Sequence, residues 1–242
     1  MERLQKIMAR ANFGSRRECE KLIKEGRVKL NGRLAKLGDK ADGAKDKIEV
    51  NGRLLSKRAP AKVYIALNKP KGVISSLEDE LGAGRTTVRD LIDLPGHVYP
   101  VGRLDRQSEG LMLMTNDGDL AHKLTHPRFG HQKLYHVTID GAMTDETIQK
   151  WEKGVWLDGS YTAPATVELI RRNQKSSQLR ITLREGRKRQ IRRIAAIFGH
   201  EVKELIRIQI GSLRLGDLKS GKWRHLTKQE VAALKQISKG AK

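Results

Sequence analysis

The chain has 242 residues, 38% hydrophobic and 4% aromatic, which predicts a mainly aliphatic core in one large domain or a medium one plus a small one. No apolar run approaches the ~20 residues that span a bilayer, the start MERLQKIMAR is too charged for a signal peptide, and a single cysteine, Cys19, excludes an internal disulfide. The net charge of +21 is uneven, with 17 Lys/Arg against 8 Asp/Glu in residues 1–58, 12 against 15 in 59–170 and 16 against 4 in 171–224, so two basic blocks flank a near-neutral centre and favour a nucleic acid over a membrane surface as partner.

In chain order, a short helix near Leu4 to Ala11 turns Leu4, Ile7 and Met8 inward. SRRE at Ser15 to Glu18 is a capping box that opens a second helix, with Cys19, Leu22 and Ile23 on one face and Gly26 as its stop. Two short strands, RVKLNG and DKIEVNG, each run into an Asn-Gly turn signal. The stretches SRRECEKLIKEGRVKLNG and LGDKADGAKDKIEVNG resemble the S-four type RNA-binding domain (the αL motif). That resemblance implies an RNA-facing helix pair carrying Arg3, Lys6, Arg10, Arg16, Arg17, Lys24 and Arg27. The domains expected are therefore an RNA-binding module over 1–55, a linker over 56–62 and a larger domain over 63–242.

The larger domain opens with the strand VYIALNKPKGV. In LYHVTIDG, Tyr135, Val137 and Ile139 share a strand face, as do Leu179, Ile181 and Leu183 in QLRITLREG. GRKRQIRRIAAIFGH predicts a helix with Ile191, Ile194, Ala195 and Phe198 inward and Gly199 as its stop. ELIRIQIG alternates again, and TKQE at Thr227 to Glu230 is a second capping box, opening a last helix through Val231 and Leu234. The fold class expected is α+β, a small helical and hairpin module followed by a domain with a mainly antiparallel mixed sheet.

Several chemistries lack their signatures. There is no phosphate-binding glycine loop, and Ser108 lacks a nucleophile elbow. His122, His126, His131 and His136 lack metal-ligand spacing, so surface or RNA contacts are the expected role and no metal is expected. VGRLDRQSEGLMLMTNDG remains, placing Asp105 on a loop between an extended segment and an apolar strand. Flanking arginines favour its ionised form, and such an anion repels phosphate. It is then either the acid of a structural salt bridge or a catalytic group, and residue physics alone ranks the salt bridge first.

GRLDRQSEGLMLMTNDGDLAHKLTHP, EGRKRQIRRIAAIFGHEVKELIRIQIG, LNKPKGVISS, KLYHVTI and LGDLKSGKWRHLT together resemble the RsuA/RluB-type family of ribosomal RNA pseudouridine synthases along nearly the whole chain. The resemblance implies isomerisation of a uridine in ribosomal RNA, of the large subunit before the small, without cofactor or metal. It places the catalytic aspartate at Asp105 and leaves open whether that carboxylate first meets the sugar or the base. It implies that Tyr135 packs on the target base, Arg192 pairs with the aspartate, Leu205 lines the pocket and Arg103 enters the stack as the base flips out. Arg106, Arg187, Lys188, Arg189 and Arg193 are further candidates for RNA contact. The alternative expectation is a non-catalytic RNA-binding or ribosome-assembly factor on the same scaffold; a nuclease or glycosidase would want a metal cage or a second acid. A cytoplasmic monomer is expected.

Overall fold

The structure, a computed structural model, describes residues 1–56, 60–94 and 96–240. Part of the expected linker, 57–59, lies outside the described residues. The chain forms two compact units. One is Met1–Val63 with Leu94–Val98 and Asn116–Gly118; the other is Tyr64–Asp93, Tyr99–Thr115 and Asp119–Lys242.

The first unit contains β1 (Glu2–Arg3), α1 (Leu4–Arg10), α2 (Arg16–Lys24), β2 (Val28–Leu30), β3 (Arg33–Leu34), β4 (Lys40–Ala41), β5 (Ile48–Val50) and β6 (Arg53–Leu54). The Ser15–Glu18 capping box forms in both directions at the start of α2. Asn31-Gly32 and Asn51-Gly52 all take positive φ and close two-residue hairpins, β2–β3 and β5–β6. β2 also pairs with β5, so the two expected strands grow into a four-stranded sheet ordered β3-β2-β5-β6. Leu4, Ile7, Met8, Cys19 and Ile23 from the helices pack on Val28, Leu30, Ile48 and Val50 from the sheet.

The second unit is built on β7 (Tyr64–Lys69), β8 (Tyr99–Pro100), β9 (Glu109–Thr115), α3 (Gly118–Thr125), β10 (Lys133–Asp140), α4 (Asp145–Lys153), β11 (Trp156–Leu157), β12 (Ser160–Tyr161), β13 (Thr166–Arg172), β14 (Ser176–Leu183), α5 (Gln190–Ile197), β15 (Val202–Ile210), β16 (Leu213–Arg214), β17 (Trp223–His225) and α6 (Lys228–Gly240). Among the described residues nine strands form one sheet, ordered β13-β14-β10-β15-β9-β7-β17, with β8 on β9 and β16 on β15. Every pairing is antiparallel except β15 with β9. β9 is buried from Gly110 to Thr115, as its unbroken apolar run requires of a strand covered on both faces. Leu111 and Leu113 pack with Leu120 and Leu124 of α3 and with Leu234 of α6. Thr227 and Glu230 cap α6 reciprocally, as their spacing predicts. No helix among the described residues is long and apolar enough to cross a membrane.

Several features depart from the periodicity reading. α3, α4 and the strands β11, β12 and β13 are among the elements it does not predict. β15 does alternate, but it buries Arg207 beside Leu205, while Ile206 and Ile208 are only half-buried.

Candidate active site

The parallel step between β9 and β15 assembles the site. Its register sets Arg207 against Gly110, and on the other side of β15 Arg207 faces Tyr135 of β10. Gly110, Arg207 and Tyr135 thus lie in one row across three strands. Gly110 has φ +101°, and a Cβ there would sit 2.3 Å from the Arg207 carbonyl oxygen, so only glycine permits this approach. The loop leading into β9 carries Asp105, which lines one cleft with Arg207 and Tyr135.

Asp105 is half-buried, and the backbone around it is fastened at several points. The Ser75 hydroxyl donates to the Leu104 carbonyl oxygen at 2.6 Å and accepts from the Leu104 N–H at 3.0 Å. Gly72 N–H donates to the Arg106 carbonyl oxygen at 2.8 Å, and Arg106 Nε returns to the Gly72 carbonyl at 3.1 Å. The Asp105 carbonyl itself accepts from Ser108 N–H at 3.0 Å. Arg192, on α5, donates from Nη1 to the Val202 carbonyl at 2.9 Å and from Nη2 to the Gln107 carbonyl at 2.7 Å. Arg192 therefore ties the Asp105 loop to the start of β15, and among the described residues no ion pair within 4.0 Å joins it to the carboxylate. The Asp105 charge still reaches its guanidinium, whose pKa is lowered by burial and by Arg189 and raised in part by Asp105.

A cleft of about 830 Å³ opens beside this loop, lined by Asp105, Arg103, Tyr135, Leu205 and Arg207, among others. Tyr135 is 8% exposed and flanked by Ile181 and Arg207 on its neighbouring strands; Leu205 is buried opposite Val137. Arg103 is exposed at the rim. The structure thus brings Asp105, Tyr135, Leu205 and Arg103 to one cleft, with Arg192 fastening the loop of the first.

The basic candidates divide into two kinds. Arg187 donates from Nη1 to the carbonyls of Leu157 (2.7 Å) and Ser160 (3.1 Å) and from Nη2 to that of Tyr161. Arg193 grips Asp158 with two bonds of 2.7 Å. Both guanidinium groups hold the β11–β12 hairpin. Lys188 and Arg189 are exposed and make no ion pair within 4.0 Å among the described residues. In the first unit Arg16, Arg17 and Lys24 are exposed in the same way, whereas Lys6 and Arg10 pair with Glu2, Arg27 pairs with Glu25, and Arg3 bonds the Gly38 carbonyl.

Three polar groups were not singled out from the sequence. Lys69 is fully buried, with Nζ donating to the carbonyls of Pro70 (2.8 Å) and Val73 (2.7 Å). Burial pushes its pKa down to about 8, against the pull of Glu109 and Asp105. The period of two through Ile65 and Leu67 already points Lys69 inward. Arg207 donates from Nε to the Leu111 carbonyl at 2.7 Å while its Nη2 is buried without a partner. Ser75 carries no local signal, because its partner lies 29 positions away. His122, His126, Phe129 and His131 form a contiguous ring cluster at 5.2–6.4 Å between centroids. Among the described residues no His, Cys, Asp or Glu group is placed to hold a metal ion.

Residues 63–196 match the family model for RNA pseudouridylate synthase, and residues 2–48 match that for the S4 domain. The chain is 43% identical over 98% of its length, and 97% of the relative's, to ribosomal large subunit pseudouridine synthase B of Bacillus subtilis. It is 39% identical to the dual-specificity RNA pseudouridine synthase RluF of Escherichia coli K12, covering 96% of this chain and 78% of the relative. A crystal structure of pseudouridylate synthase superposes with a TM-score of 0.70 at 31% identity, covering 97% of this chain and all of the other. On this agreement of sequence and fold, the chain belongs to the RNA pseudouridylate synthase family, enzymes that isomerise uridine to pseudouridine within RNA.

Proposed function

We propose that this chain converts a uridine of large-subunit ribosomal RNA to pseudouridine, with Asp105 as the catalytic carboxylate. The N1–C1′ bond of the target breaks, C1′ rejoins the base at C5, C5 loses its proton and N1 gains one, so the atoms balance without a co-reactant. Asp105 supplies an anionic oxygen at the ribose–base junction, and the Tyr135 ring offers the extruded uracil a packing face. Leu205 gives an apolar wall and Arg103 stands at the rim where the vacated stack would be. Arg192 acts by positioning the Asp105 loop through Gln107. Holding reacting groups in a fixed attack geometry contributes much of such a barrier reduction.

The observation that carries this reading is the fastening of Asp105 on both sides, at Leu104 and at Arg106, at the edge of a cleft walled by Tyr135 and Leu205. The large-subunit target rests on the name of the Bacillus relative, matched over nearly the full length of both chains. The same match disfavours a non-catalytic assembly factor. The S4-type unit, with Arg16, Arg17 and Lys24 exposed, supplies a second RNA contact, and the enzyme works as a cytoplasmic monomer. Asp105→Asn keeps the side-chain volume and removes the charge. It should abolish pseudouridine formation in a large-subunit transcript while leaving RNA affinity within about twofold, because affinity rests on the phosphate contacts. Full turnover by the variant would remove Asp105 from the chemistry.

A further inference from the structure

In a chain with 4% aromatic residues, two of them are placed side by side in solvent. Trp156 and Tyr161 are cross-strand partners on the β11–β12 hairpin, 58% and 67% exposed. Their rings meet edge to face, 5.1 Å between centroids at 77°. The hairpin between them turns on Asp158 and Gly159, both at positive φ, and buries only Leu157. Isolated, such a two-residue ribbon would be marginal. Here Arg187 binds three of its carbonyls and Arg193 clamps Asp158, so the aromatic pair is held stiffly.

Arg187 also lines the Asp105 cleft, which makes it the strut joining the cleft wall to the aromatic pair. The charges nearby are those a polyanion requires. Lys188 and Arg189 are exposed and line the same cleft as Arg187; Lys188 also acts on Asp158 through its charge, and Arg189 is held at φ 53° at the start of α5. The one acid of the hairpin, Asp158, is already neutralised by Arg193.

We propose that the Trp156–Tyr161 pair is a stacking platform for an unpaired nucleobase of the RNA that carries the target uridine, with Lys188 and Arg189 taking the phosphates beside it. This rests on the reading that RNA enters the Asp105 cleft. Aromatic rings accept any base on its face, and cations on the adjoining cleft wall can follow the backbone. An apolar protein partner would bury the same area but gives no use for the exposed cations Lys188 and Arg189.

Trp156→Phe, Trp156→Leu and Tyr161→Leu test this, since leucine keeps an apolar surface and removes the π face. With a large-subunit ribosomal RNA transcript, the two leucine variants should raise KM about tenfold with kcat within about twofold, and Trp156→Phe should stay within about twofold of wild type on both. A short single-stranded oligouridylate should quench tryptophan fluorescence of the unmodified protein, and the quench should shrink in Trp156→Phe. This second measurement depends neither on the target site nor on the folding of the leucine variants. Leucine variants with wild-type KM, or no quench by oligouridylate, would overturn the platform. A wild-type protein that leaves the transcript unmodified but is quenched by oligouridylate would overturn the large-subunit target and keep the platform.

Discussion

Arg192 Nη2 donates to the carbonyl oxygen of Gln107 at 2.7 Å, two residues beyond Asp105, while its Nη1 holds Val202 at 2.9 Å. A single guanidinium thus ties the Asp105 loop to the strand that carries Leu205. The planar fork can serve both acceptors at once, whereas an ammonium is one point donor on a flexible stem. Arg192→Lys should therefore lower kcat on the order of 100-fold with KM nearly unchanged, the signature of a displaced carboxylate rather than of lost RNA affinity. Single-turnover rates on a transcript, set beside filter-binding affinities, separate the two. A variant that loses affinity and keeps its rate would mark Arg192 as an RNA contact instead.

Ser75 fastens the residue before Asp105 through a hydroxyl that both donates and accepts. Ser75→Ala leaves the Leu104 N–H and carbonyl without that partner, a cost of about 1–3 kcal/mol for groups this secluded. The expected outcome is a lowered melting temperature together with a kcat reduced about tenfold. Ser75→Thr retains the hydroxyl and should recover most of the rate. Equal rates for the alanine variant and wild type would show that Gly72 and Arg192 hold the loop without Ser75.

Much of the fold is legible in the sequence because its signals are local, whereas the roles of Asp105, Tyr135 and Arg192 come from the family resemblance and not from residue physics. Asn-Gly pairs announced the hairpins, the period of two set the inward faces of β10 and β14, and SRRE and TKQE marked two helix starts. The fastening of Asp105 was not legible, because most of its partners are backbone carbonyls, which every residue possesses. Arg187 and Arg193 show the same limit: a basic run looks like an RNA-facing surface until the carbonyls of a hairpin and Asp158, 35 positions away, are brought beside it. Lys69 is different, since its place in the Ile65–Leu67–Lys69 alternation was visible, and only its charge argued against burial.

Arg16 and Arg17 lie exposed at the start of α2, without acidic partners among the described residues. If both neutralise phosphates, each contributes about 0.7 to the slope of log K against log salt for single-stranded RNA. Replacing both with glutamine should flatten that slope by ~1.4 and weaken binding most at low salt. An unchanged slope in a titration from low to moderate salt would assign the affinity to the other basic block.

Gly110 allows the parallel step between β9 and β15, with Arg207 backbone atoms at 2.3 and 2.7 Å from where a Cβ would stand. Because those neighbours are backbone rather than flexible side chain, Gly110→Ala has to push two central strands apart or change the Gly110 backbone. A loss above ~3 kcal/mol is expected, since the strain of a positive φ adds to the steric clash. Chemical denaturation should show it directly. Gly159→Ala serves as the comparison, having a positive φ but nothing within 4 Å of its Cβ, and should cost about 1 kcal/mol. Similar losses in both variants would mean that φ, not the strand contact, dominates at Gly110.

Lys69 gives the fold a pH dependence of definite sign. Its folded pKa is about 8 against an ordinary value of 10.5, because burial disfavours the ammonium. Below about pH 8 the folded chain holds that charge away from water, and the whole penalty is present. Between the two values the unfolded chain binds more protons than the folded one, so this group makes stability rise with pH. Lys69→Met keeps a similar length and removes the titration, at the fixed cost of the bonds to Pro70 and Val73. Comparing the two proteins cancels the other titrating groups. Wild type should gain on the variant by on the order of 3 kcal/mol between about pH 7 and pH 11. Denaturant unfolding at several pH values measures this difference, and a flat one would show that the Lys69 ammonium is as well solvated in the fold as in the open chain.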